Sequence, residues 1–214
     1  TDANGYALTF NRSLGTLAVA GTGGNSTYVE TDTVNSVDVI RGTAAGDTLT
    51  DAVAGRNMYF MGDLGNDTIN GNAGDYDFVV YSERDATYTV TANLGTNQVT
   101  ITKSGSPTET DTLSNIRGIW GGAGADALTG GAADEFFRGN GGNDTIDGGA
   151  GMDIADYRFN NTNQGISVTL AASGDDTQVI DQAGGTDTLR NIEGISGSNN
   201  NDQITGNAAN NWLR

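Results

Sequence analysis

Residues 121–156 read GGAGADALT, GGAADEFFR, GNGGNDTID and GGAGMDIAD, four consecutive blocks of nine residues. An acidic residue holds the sixth place of every block: Asp126, Glu135, Asp144 and Asp153. The eighth place is apolar, as Leu128, Phe137, Ile146 and Ala155. Glycine gathers at places one, two and four. Self-similarity at a short fixed period marks a coil architecture, in which one unit alone cannot bury its apolar face. The first part of each block predicts a turn, with glycines that let the backbone take positive φ. The last three residues predict a short strand whose middle side chain enters a core. A half-coil of nine residues returns every second block to the same side, so Asp126 stacks near Asp144 and Glu135 near Asp153.

A looser run precedes it: GTAAGDTLT from Gly42, then DAVAGRNMYF, GDLGNDTIN and GNAGDYDFV. Here the sixth-place residues are Asp47, Asn57, Asp67 and Asp77, ten residues apart. A third run begins with Asp202-Gln203-Ile204 and Asn211-Trp212-Leu213. A longer repeat introduces all three. Thr31-Asp32-Thr33-Val34 recurs as Thr110-Asp111-Thr112-Leu113 and Thr186-Asp187-Thr188-Leu189. Matched apolar residues follow: Val34, Val37 and Ile40; Leu113, Ile116 and Ile119; Leu189, Ile192 and Ile195.

Alternating segments lie between the runs. Tyr88–Thr91 with Gln98–Thr102, and Ile166–Leu170 with Gln178–Ile180, read as β-hairpins with one apolar face. Tyr6, Leu8 and Phe10, then Leu17 and Val19, suggest a partial hairpin unit in residues 1–30. The predicted organisation is a first repeat unit at 31–109 (roll 38–81, hairpin 86–103), a second at 110–185 (roll 117–157, hairpin 164–182) and a truncated third at 186–214. Lys103-Ser104-Gly105-Ser106-Pro107 breaks the strand pattern between units. The expected fold is all-β and elongated, with parallel β-roll segments alternating with antiparallel hairpins.

Composition narrows the function. The 214 residues include 33 glycines and one proline, 27 acidic and 10 basic residues, for a net charge of −17. Lys103 is the only lysine. Such a surface repels nucleic acid and anionic lipid and attracts cations. Cysteine and histidine are absent, which removes disulfides, Cys/His zinc sites and His- or Cys-based catalytic triads. No apolar stretch reaches the roughly 18 residues of a membrane-spanning helix. No nucleic-acid partner and no membrane insertion are expected.

The blocks resemble the GGxGxDxUx nonapeptide of RTX proteins, calcium-binding parallel β-rolls of bacterial type I secretion substrates. Residues 38–81, 117–157 and 193–213 carry the resemblance, which GNGGNDTIDGGAGMD (139–153) fits best. The resemblance implies ions held between turns two blocks apart by main-chain carbonyls and carboxylates, the all-oxygen set calcium prefers. It assigns one site to Gly122, Gly124 and Asp126 with Gly139, Gly141 and Asp144. A second joins Gly131, Ala133 and Glu135 with Gly148, Ala150 and Asp153. A third joins Thr43, Ala45 and Asp47 with Gly62, Leu64 and Asp67. A fourth sets Asn57 against Gly71, Ala73 and Asp77. Asp202 would bind where a neighbouring repeat or chain completes it. About three to five Ca²⁺ ions are implied. Arg41, Arg117 and Arg190, near the run starts, are candidates to cap the stacks by pairing with carboxylates. Trp120, Trp212, Tyr81 and Tyr157 are read as packing or end-cap residues, Asp175-Asp176 as a hairpin turn, and Glu83, Arg84 and Asp85 as solvated charge.

The functional expectation is a non-catalytic, calcium-binding structural or adhesive segment of a secreted bacterial surface protein. It would stay unfolded inside the cell and fold outside as calcium binds, next to further repeats of its parent chain. Four ions would bring the charge to about −9. The alternatives are a Ca²⁺-dependent polysaccharide-binding module, the accessory module of a polysaccharide-modifying enzyme, and an ice-binding coil. An enzyme is disfavoured because the carboxylates are committed to metal and no histidine is present.

Overall fold

The computed structural model describes residues 6–11, 16–23, 26–33, 38–51, 53–158, 164–180 and 185–214, with side chains from residue 38 onward. Val34, Val37 and the last two residues of the second predicted hairpin lie outside the described residues. All described elements are strands. The chain divides into two compact units, one of Thr1–Val80, Asn97–Thr100 and Thr108–Gly118, the other of Tyr81–Thr96, Ile101–Pro107 and Ile119–Arg214.

The first unit has two sheets. One runs in the order Glu109–Ser114, Thr68–Asn70, Thr48–Thr50, Tyr6–Asn11, Thr16–Gly23 and Ser26–Thr33. Its roll strands are parallel, with Leu49 beside Ile69 and Ile69 beside Leu113. Its last three strands form an antiparallel meander in which Leu8 faces Val19 and Phe10 faces Leu17. The other sheet holds Phe78–Val80, Tyr59–Met61 and Val39–Arg41, all parallel, with Ile40, Phe60 and Val79 in register.

The second unit repeats the plan. One sheet runs Gln203–Thr205, Ser167–Thr169, Thr177–Ile180, Thr186–Arg190, Thr145–Asp147, Ala127–Thr129 and Tyr88–Asn93. The other includes Trp212–Leu213, Gly194–Ser196, Ile154–Asp156 and Phe136–Arg138. The predicted eighth-place residues form the core. Leu128, Ile146 and Leu189 stack in one sheet; Phe137, Ala155 and Ile195 stack in the other. All six are buried. Phe137 next to Ala155 alternates large and small, which lets a three-residue rung fill the space between two sheets.

Strands outside the nonapeptide runs join the roll sheets as further rungs. Glu109–Ser114 lies parallel to Thr68–Asn70, Tyr88–Asn93 to Ala127–Thr129, and Thr186–Arg190 to Thr145–Asp147. Within the second hairpin, Ser167 faces Ile180 in an antiparallel pair.

Glycine at place one does not take the positive φ assigned to it. In three blocks left-handed backbone falls at places two and four, at Asp63 and Gly65, Asn140 and Gly142, and Gly149 and Gly151, whereas Gly122, Gly124 and Gly131 do not take it. Place one needs glycine for a different reason. A Cβ on Gly42, Gly62, Gly121 or Gly139 would strike the carboxylate of its own turn.

Candidate metal centre

In every block but the one holding Asn57, the residue before the three-residue strand is the sixth-place residue, and its side chain turns back beneath the turn. There the carboxylates link successive rungs. The Asp126 N–H donates to Asp144 Oδ1, and the Asp144 N–H donates to Asp187 Oδ1 (2.8 and 3.0 Å). The Glu135 N–H donates to Asp153 Oδ1, and the Asp153 N–H to Glu193 Oε2 (2.8 and 3.1 Å). In the first unit the Asp47 N–H donates to Asp67 Oδ1, and the Asp67 N–H to Asp111 Oδ1 (2.8 and 2.9 Å). Three columns of three carboxylates result.

The pairs Asp126/Asp144, Glu135/Asp153 and Asp47/Asp67 come together as the nonapeptide reading anticipated. Asp111, Asp187 and Glu193 continue the columns and were not anticipated as site residues. Their signal was present for two of them: Asp111 and Asp187 are the aspartates of the recurring Thr-Asp-Thr. Among the described residues, no three carboxylates gather into one cluster fit for a metal. A cation between two rungs would therefore draw its remaining ligands from carbonyls or water.

Carbonyls stand where that requires. A Cβ on Gly42, Gly121 or Gly130 would meet the carboxylate of its own turn and also the main-chain O of Gly62, Gly139 or Gly148, two blocks on. The carboxylate of one rung and the first carbonyl of the next thus face each other across a glycine. The carbonyls of Thr43, Gly122 and Gly131 accept from the N–H groups of Leu64, Gly141 and Ala150 (3.2, 3.4 and 3.1 Å), and each keeps a second lone pair. Those of Ala45, Gly124 and Ala133 pack against the left-handed glycines Gly65, Gly142 and Gly151.

The fourth predicted site requires correction. The strand Tyr59–Met61 begins one residue later than ten-residue spacing places it, so Met58 takes the column position. Met58 is fully buried and its N–H donates to Asp77 Oδ1 (2.7 Å). Asn57 is exposed and accepts from the Tyr76 N–H through Oδ1 (3.1 Å). Gly71 faces Asp77 Oδ2 and the main-chain O of Asn115, while Ala73 is exposed. Asp202 has no acidic neighbour on the adjoining rung, which begins after Ile166; the Ile166 N–H and the Ser198 hydroxyl donate to its Oδ1 (2.8 and 2.7 Å).

Burial pushes the Asp67 carboxyl up to about 8, with the charges of Asp111, Asp47 and Glu109 adding to the effect against a hydrogen bond from the Asp47 amide. Burial raises Asp126 to about 6 against hydrogen bonds from the Val90 and Gly122 amides. Asp77 and Asp153 are also raised, chiefly by burial. In these columns Asp67 Oδ2 and Asp153 Oδ2 are buried with no hydrogen-bond partner among the described residues. A buried acceptor left in this state costs about 1–3 kcal/mol, more when charged.

The arginines do not cap the carboxylate columns as expected. Arg41 pairs with Asp63 (3.2 Å) and Arg190 with Asp176 (2.7 Å), both at the surface, and Arg117 lies over the Tyr76 ring. The buried pair is Arg138 with Asp156, and the Arg138 guanidinium stacks on Trp120. Tyr157 is buried, and its hydroxyl donates to Asp187 Oδ2 (3.0 Å). Tyr81 is buried as well. Arg84 is buried, against the expectation of a solvated charge: its aliphatic stem lies against Gly122 and its guanidinium over Tyr88.

No protein-family model matches the chain, and no curated protein matches it.

Proposed function

We propose that this chain is a non-catalytic, calcium-dependent structural segment of a secreted bacterial protein, folding as its carboxylate columns take up calcium. The observation that carries this reading is the stack of buried carboxylates two blocks apart, with a main-chain carbonyl beside those of Asp47, Asp126, Glu135 and Asp153. The donor set is all oxygen, as calcium prefers, and Asp67 Oδ2 and Asp153 Oδ2 have no hydrogen-bond donor among the described residues. The residues that would hold the ions are Asp47 and Asp67, Asp126 and Asp144, and Glu135 and Asp153, with the carbonyls of Gly62, Gly139 and Gly148. Bound calcium supplies the positive charge that turns repulsion along a column into attraction.

The chain's own residues do the rest. Place-one glycines keep the turn open to the carboxylate, and the eighth-place side chains give the rungs a shared core. The net charge of −17 opposes collapse in the absence of calcium. Low calcium inside the cell and high calcium outside would make folding follow export. The absence of cysteine leaves ion binding, rather than disulfides, as the cross-link of such an extracellular segment.

The test is a calcium titration of chelator-stripped protein followed by circular dichroism. The expected outcome is a cooperative transition from coil to β structure. An unchanged β spectrum in chelator would sink the proposal.

A further inference from the structure

Glu193, like Asp187, is an acidic rung of the second unit that no nonapeptide supplies. Glu193 lies 40 residues beyond Asp153 and directly precedes the strand Gly194–Ser196, which pairs in parallel with Ile154–Asp156. Its carboxylate accepts the Asp153 N–H, just as Asp153 accepts that of Glu135. Asn191 then takes the part played by a place-one residue. A Cβ on Gly148 would strike both Asp153 Oδ2 and the Asn191 main-chain O. Asp153 is wholly buried, and its Oδ2 has no hydrogen-bond partner.

The first unit resolves the same position differently. There the Arg117 and Gly118 N–H groups donate to the Asp77 main-chain O, as those of Glu193 and Gly194 donate to the Asp153 main-chain O. Arg117 and Glu193 are therefore structural equivalents. Beside Arg117, both Asp77 oxygens are satisfied, by the Met58 and Asn72 N–H groups (2.7 Å each). Where one unit carries a guanidinium, the other carries a second carboxylate.

We propose that Asp153, Glu193 and the Asn191 carbonyl form an additional calcium site, joining the nonapeptide roll to the strand that returns after the second hairpin. It rests on the calcium reading above but adds an ion that the repeat spacing does not count. Two carboxylates and a carbonyl leave room for water to complete the six to eight oxygens calcium takes. The ion fastens a distant segment to the roll, where the ions between nonapeptides fasten neighbouring turns. Arg117 occupies the corresponding place of the first unit, with its guanidinium over the Tyr76 ring.

The experiment counts calcium ions bound to the intact chain by native mass spectrometry, for the wild type, Glu193→Gln and Glu193→Arg. Both variants are expected to bind one ion fewer than the wild type, and Glu193→Arg to stay folded, since arginine brings its own charge. An unchanged count in either folded variant overturns this site and leaves the general calcium reading standing. A wild type that binds no calcium overturns both. If Glu193→Gln does not fold, Glu193→Arg decides alone, and its failure to fold as well overturns the site, because a fixed charge then does not replace the ion.

Discussion

The second sheet of the first unit stacks Asp38, Met58 and Asp77 before its strands and meets Arg117 at the next rung. The matching column of the second unit stacks Glu135, Asp153 and Glu193. One column is interrupted by an apolar side chain and followed by an arginine. The other is acidic at all three rungs. Both support the same three-residue strands and the same buried middle side chains. The rung geometry thus tolerates either an apolar or an anionic residue at this position. What differs is the electrostatic cost, which is lower where Met58 separates the acidic rungs and higher where three carboxylates follow one another.

The largest expected effect separates the two columns by calcium removal. As calcium is withdrawn stepwise, hydrogen exchange is expected to expose the amides of strands Phe136–Arg138 and Ile154–Asp156 first, while Tyr59–Met61 and Phe78–Val80 keep their protection longer. Equal loss in both would break the comparison.

The pH dependence comes next. In the first unit without calcium, burial raises Asp67 to about 8, above its ordinary 3.8. The folded state then holds a proton that the unfolded chain releases. Its contribution to stability is full below about pH 4 and is lost as pH rises through about 8, changing the unfolding equilibrium by up to about tenfold per pH unit. In chelator, the β content read by circular dichroism is expected to fall between pH 5 and pH 8.5. With calcium the trend should reverse, since the ion requires the ionised carboxylate. A β content indifferent to pH in chelator would contradict the burial of Asp67.

Met58→Ala sharpens the contrast within the first unit. Removing a fully buried side chain from this rung is expected to cost about 2–5 kcal/mol in chemical denaturation. The smallest effect belongs to Asn57→Ala, about 1 kcal/mol or less, because an exposed hydrogen bond to the Tyr76 amide is all that it removes. If Asn57→Ala proved the costlier of the two, the column assignment would be in error.

The stretches that were legible in the sequence are those where spacing and contact coincide. The pairings of Asp126 with Asp144 and of Glu135 with Asp153 follow from two blocks of nine, and the core positions Leu128, Phe137 and Ile146 follow from the same count. Asn57 misled because the bend before it lengthens the half-coil. Met58-Tyr59-Phe60-Met61 is apolar throughout, so nothing in the residue types marks which one precedes the strand. Asp111, Asp187 and Glu193 lie 44, 43 and 40 residues from their column neighbours. No short period reaches that far. Their place is set by the register of the returning strands, through Leu113 beside Ile69 and Leu189 beside Ile146.

Those returning strands also bear on how the chain reaches its fold. A pure nonapeptide coil grows like a zipper, each rung closing a loop of fewer than twenty residues, as Asp126 and Asp144 do. The Asp67–Asp111, Asp144–Asp187 and Asp153–Glu193 links interrupt that growth. Each must wait for an excursion about twice as long to come back. Doubling a loop adds only about 0.6 kcal/mol of closure entropy, so the cost to stability is slight. The consequence is kinetic: non-local pairings slow folding more than they weaken the folded state. A molecule built this way should assemble in bursts, fast along each run of blocks and pausing at each return.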